Sequence, residues 1–110
     1  MDISIFENYK EDRYEKVVGL GVTYVYKYFR AKEVFEKNRN EENEIIEYAY
    51  GKVVDLVEQL TKDYMYINFA EKIKAYKTEI EKMKPYATVK ANHVILQVIK
   101  DIDVIDNLLQ

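Results

Sequence analysis

Two apolar stripes at strict helical spacing frame the only proline of the chain, Pro85, and they restrict its fold more than any other feature. The first is Phe69-Ile73-Tyr76-Ile80-Met83 and the second Ala91-Ile95-Val98-Ile102-Ile105-Leu109. Alternating steps of four and three residues put every member on one face of a helix, where it can pack against another helix. Proline lacks the backbone donor and disfavours helical geometry in the residue before it, so the third helix is expected to end near Pro85. Thr88 is the expected cap of the fourth.

The same reading extends towards the N-terminus. Ser4-Ile5-Phe6-Glu7 fits a capping box, so a first helix is expected to start there. Its apolar face is followed through Tyr14, Val17, Gly21, Val25, Tyr28, Ala31 and Phe35, with a kink or break expected at Gly19 to Gly21. The stretch from Val22 to Phe29 is rich in β-branched and aromatic residues, which favour strands locally. No second segment offers it a strand partner or a hairpin turn, so it is assigned to helix.

Asn40 followed by Glu41 and Glu42 makes a helix start, with acids against the positive end of the dipole. The second helix then carries Ile45, Ala49, Val53, Leu56 and Leu60 on one face, with Ile46, Tyr50 and Val57 beside it. Asn68 is the expected cap of the third. The expectation is a single all-α domain over residues 1–110, an antiparallel, up-and-down bundle of four or five helices. The number turns on the glycines. At 110 residues there is room for one core, and three Gly with one Pro are too few breakers for a disordered chain.

Net charge alternates along the chain: +1 for residues 1–39, −5 for 40–67, +3 for 68–90 and −2 for 91–110. Opposite signs suit sequential neighbours in such a bundle and disfavour pairing of like helices. No cysteine is present, which removes disulfides, thiolate catalysis and cysteine-based metal sites and points to a reducing compartment. The N-terminus shows no export signal, and the longest apolar run, Val17 to Tyr26, is too short to cross a bilayer. A cytoplasmic location without membrane attachment is expected.

Few residues offer chemistry. Glu44 and Glu47 lie three apart on one helix face. This spacing resembles the carboxylate pairs with which all-helical nucleotide pyrophosphohydrolases of the MazG type hold magnesium, although the second pair on a facing helix is missing. Asp103 and Asp106 have the right internal spacing but come too late in the chain. Asp101, Asp103 and Asp106 crowd the C-terminal end of the last helix, where the dipole favours cations, so they invite a basic partner. Lys72, Lys74, Lys77, Lys82 and Lys84, with Tyr76 and Tyr86 among them, could track a phosphate backbone. Glu71, Glu79 and Glu81 dilute that stripe, and the chain as a whole carries −3, so nucleic-acid binding is not favoured.

His93, the only histidine, has no nucleophile or second ligand in sequence, and Arg13, Arg30 and Arg39 lack the histidine that helical ribonucleases of the HEPN type require. In size and helix number the chain is similar to bacteriocin immunity proteins, small subunits of CRISPR effector complexes and viral accessory proteins, with no motif linking it to any of them. The fourth helix is apolar nearly all round, more than one core face requires. The sequence therefore points to a non-enzymatic protein–protein interaction module, self-associating, with Leu96, Val104 and Leu108 and the aspartates 101, 103 and 106 as interface candidates and no cofactor. The alternatives are a magnesium-dependent hydrolase using Glu44 and Glu47, and a weak nucleic-acid binder using Lys74, Lys77 and Lys84.

Overall fold

The structure, a computed structural model, describes the backbone of residues 3–62 and 69–109 and the side chains of 15–60 and 70–108. Four α-helices form an all-α bundle: α1 (Ile3–Lys37), α2 (Glu41–Lys62), α3 (Phe69–Glu81) and α4 (Val89–Leu109), with a single 3-10 turn over Lys84–Tyr86. No helix among the described residues is long and apolar enough to cross a membrane.

The topology follows from which residues meet. Tyr28 lies against Gly51 and Val57 against Gly21, so α1 and α2 run antiparallel. Tyr48 of α2 donates to Glu79 of α3 at 2.9 Å, and Tyr76 of α3 donates to Asp55 of α2, which sets that pair antiparallel too. Thr88 at the start of α4 donates to Glu42 in the first turn of α2, so those two helices begin at the same end and run parallel. Lys77 of α3 pairs with Asp103 of α4. The arrangement is the up-and-down bundle.

Gly19 and Gly21 do not interrupt α1, which runs unbroken for 35 residues, so the bundle has four helices and not five. The two glycines serve different ends. A Cβ at Gly21 would overlap Val57 Cγ1, so the missing side chain lets α1 and α2 approach, whereas Gly19 faces open space. Gly51 makes the second close approach, under the Tyr28 ring, where a Cβ would stand 3.1 Å from Cε2. The helical stretch from Val22 to Phe29 resembles a strand in sequence because two of its faces are apolar. Tyr24 points inward and is fully buried, while Val25, expected on the inner face, is exposed. The inner path steps from Gly21 to Tyr24, three residues on, and not to Val25.

At the α1–α2 turn, Asn40 caps α2 by accepting the Asn43 backbone N–H at 2.8 Å, as its position suggests. The buried Asn43 side chain donates to the Asn38 carbonyl, also at 2.8 Å, and so ties the cap to the end of α1. Thr88 caps α4 by accepting from Ala91 N at 3.2 Å. The expected caps at Ser4 and Asn68 lie outside the described side chains. The third helix closes at Glu81, ahead of Pro85. Met83 N bonds Ile80 O, and Tyr86 N bonds Met83 O, both at 3.1 Å, so the chain tightens into three-residue turns before and through the proline.

The core is built from the expected stripes. Ala91, Ile95, Val98, Ile102 and Ile105 of α4 are completely buried, as are Ala49, Val53 and Leu56 of α2 and Ile80 of α3. These faces meet Val17, Tyr24 and Ala31 of α1 in one contiguous cluster.

Candidate interaction surface

Three surfaces carry the residues that could do something, and helix register sets each of them. The first lies along α2, where Tyr48, Lys52, Asp55 and Gln59 follow one another at steps of four, three and four and face α3. Lys52 pairs with Glu79 at 3.2 Å and sits over the rings of Tyr76, at 4.5 Å, and Tyr48, at 5.0 Å. Burial alone would lower the Lys52 pKa, but hydrogen bonds to Glu79 and Tyr48 outweigh it and raise the pKa. The Tyr76 hydroxyl is pushed up, first by burial and then by its bond to Asp55, which Gln59 also reaches at 2.9 Å. Glu79 is held below the ordinary carboxylate range by the same Tyr48 and Lys52. The network joins α2 to α3, and its ion pair reverses the net signs of the two helices.

Beside it, a groove of about 390 Å³ between α1 and α2 is lined in part by Glu44, Glu47, Asp55 and Lys52. Glu44 is exposed and Glu47 half-buried, and the wall opposite them is formed by Tyr28 and Phe35 of α1. The structure thus faces the glutamates with aromatic rings and not with a second carboxylate pair. Among the described residues no group of three or more histidines, cysteines or acids is placed to hold a metal ion.

The second surface is the outer side of α4. Its aspartates separate: Asp101 accepts the Tyr24 hydroxyl of α1 and Gln97 Nε2 at 3.2 Å, whereas Asp103 faces α3 and receives Lys77. The bond to Asp103, above all, raises the Lys77 pKa, and the charge of Asp106 adds to it. Tyr24 is shifted far upward, chiefly by burial and next by the bond to Asp101. Sequence spacing alone did not point to Asp101 as the acceptor for a buried tyrosine, since its partner is 77 positions away. Of the apolar candidates, Leu108 packs partly buried against the core together with Val94 and Ile99, while Leu96 and Val104 are 49% and 42% exposed. Exposed Lys100 lies between these two, so they do not form one apolar patch.

The three lysines differ in their surroundings. Lys77 is engaged by Asp103, Lys74 is exposed and Lys84 is half-buried in the 3-10 turn. His93 is exposed, Arg30 is exposed, and Arg39 lies 5.9 Å over the Phe35 ring. Arg13 lies outside the described side chains.

The third surface is the outer face of α1. Val22, Tyr26 and Phe29 are 61%, 80% and 58% exposed, beside Val18 and Val25. Val18, Val22, Val25 and Tyr26, with Gly21, Val54, Val57 and Glu58, line a shallow and mainly apolar groove of about 350 Å³ along the α1–α2 seam. The signal was present in the sequence as the strand-like run, whose excess of apolar residues is what gives α1 a second face.

A comparison with protein-family models, curated proteins and solved structures finds no match to this chain.

Proposed function

We propose that this protein is a non-enzymatic protein–protein interaction module, a small accessory or regulatory protein that self-associates through the outer face of α1. The observation that carries this reading is the row Val18, Val22, Val25 and Phe29, flanked by Tyr26, in which Val18 is half-buried and the rest are exposed, on a helix whose opposite face is already buried. A contiguous apolar patch of that kind is an interaction site far more often than an isolated exposed side chain is. The polar groups support the same reading. Asp55, Glu79, Asp101 and Asp103 each hold another helix of the bundle.

Light scattering coupled to size exclusion tests it, over loading concentrations from about 1 µM to about 1 mM. The native chain should move from its single-chain mass of 13.2 kDa towards twice that value. A Val22→Glu, Phe29→Glu variant should keep the 13.2 kDa mass with unchanged helix content. A native chain that stays at the single-chain mass, or an association indifferent to both substitutions, would overturn the reading.

A further inference from the structure

The exposed row on α1 is bounded by Glu15 before it and Lys32 after it, both exposed. Together, Glu15, Val18, Val22, Val25, Phe29 and Lys32 follow steps of three, four, three, four and three. That is the seam spacing of a coiled coil, in which every member meets the facing helix. The order of steps is the same in either direction. An inverted copy therefore sets each seam residue opposite another: Val22 against Val25, Val18 against Phe29 and Glu15 against Lys32.

The geometry points to a second copy of this chain as the occupant of that face, and we propose that two α1 helices pair antiparallel about a two-fold axis between residues 23 and 24. The proposal rests on the interaction reading given above and adds the partner, the direction and the register. Charge decides the direction. The antiparallel pair brings Glu15 to Lys32 twice, whereas a parallel pair in register stacks Glu15 on Glu15 and Lys32 on Lys32, which costs affinity. The N-terminal segment, residues 1–39, is also the closest to neutral of the four, at +1, so it opposes pairing with its own kind least.

Size sets the strength. From Glu15 to Lys32 the seam spans about 26 Å of helix. Tyr26 and Phe29 offer on the order of 100–200 Å² apiece at their exposure. With the valines this gives an interface at the small end of specific ones, and dissociation in the micromolar range is expected.

Two readouts on the full chain test direction and register. Glu15→Lys and Lys32→Glu should each weaken association by about tenfold at low salt, and the double variant E15K/K32E should return to within about twofold of the native value. A parallel pair predicts no loss in either single variant. The chain lacks cysteine, so Lys37→Cys introduces a unique thiol at the end of α1 for a spin label. Labels in the antiparallel dimer lie about 40 Å apart along the helices, against roughly 10–15 Å in a parallel one.

Loss and rescue with the long distance support the proposal. A dimer abolished by Phe29→Glu but showing the short distance, or indifferent to the charge reversals, overturns this register and leaves the interaction reading standing. A native chain that is monomeric throughout overturns both.

Discussion

α4 and α1 are both richer in apolar residues than one buried face requires, and they leave the excess uncovered to different degrees: Leu96 and Val104 of α4 are 49% and 42% exposed and stand apart, whereas Val22, Tyr26 and Phe29 of α1 reach 61%, 80% and 58% side by side. α4 lies against α1, α2 and α3, so Ala91, Ile95, Val98, Ile102 and Ile105 of its stripe are fully buried and the flanking Val94, Ile99 and Leu108 are partly covered. α1 meets α2 and α4 along one side only, and its opposite side carries Val22, Tyr26 and Phe29 into solvent. Apolar content in a helix thus says how much surface could be buried. The number of neighbouring helices decides how much is.

The sharpest way to break this contrast is to place the same charge in each helix. Ile102→Glu puts a carboxylate at a fully buried position of α4, with loss of packing and no partner for the charge. Truncating such an isoleucine alone costs about 2–5 kcal/mol, so the charged variant should be largely unfolded. Phe29→Glu on the outer face of α1 should change monomer stability by about 0.5 kcal/mol or less. Urea unfolding with circular dichroism at low protein concentration measures both. Equal losses would mean that the outer face of α1 is core and that the comparison is false.

A second, smaller contrast lies within α1 itself and uses one substitution at two neighbouring sites. Gly21→Ala drives a Cβ into Val57 and should cost about 1–3 kcal/mol as the helices move apart. Gly19→Ala meets nothing within contact distance and should gain roughly 0.5–1 kcal/mol from helix propensity. Opposite signs in thermal unfolding would establish that α1 has one face at close quarters and another in the open. A loss at both positions would place a neighbour over the outer face.

The glycines also show what the sequence could and could not reveal. Helical spacing gave the stripes of α2, α3 and α4 directly, because each of those helices has one dominant apolar face and its period is unambiguous. The caps at Asn40 and Thr88 were legible because capping is local, involving residues three apart. In α1 the period is ambiguous, since Tyr24 and Val25 both continue an apolar row and only the position of α2 and α4 selects Tyr24 for the core. Glycine was likewise legible as a weak point of a helix but not as a contact, because Val57 lies 36 positions further on. The interface candidates on α4 came from composition, which registers excess without direction. For the same reason the terminal aspartates looked like one cluster. Their neighbours divide them, with Tyr24 taking Asp101 and Lys77 taking Asp103.

The smallest effect concerns the contact that ties α1 to α4, the Tyr24 hydroxyl donated to Asp101. Burial, and then the carboxylate, raise the Tyr24 pKa well above its ordinary value of 10.0, so the folded chain keeps this phenol neutral at a pH where the unfolded chain ionises it. A group whose folded pKa is raised contributes stability that is complete below the unfolded pKa and declines as pH rises through and beyond it. Tyr50, shifted upward by burial, and Tyr76, shifted by burial and Asp55, act in the same direction. Stability should therefore be flat with respect to these groups below about pH 9 and fall steadily above about pH 10. Tyr24→Phe keeps the ring against Tyr50, at a centroid distance of 5.8 Å, and removes only the donor. It should cost about 1 kcal/mol at neutral pH, Asp101 keeping its bond from Gln97. It should also flatten the alkaline decline, because one of the shifted phenols is gone. Urea midpoints for the native chain and the variant at pH 7, 9, 10 and 11 separate these two consequences. A parallel decline in both chains would show that Tyr24 ionises as freely in the fold as out of it. In that case the α1–α4 contact is as open to water as the outer face of α1.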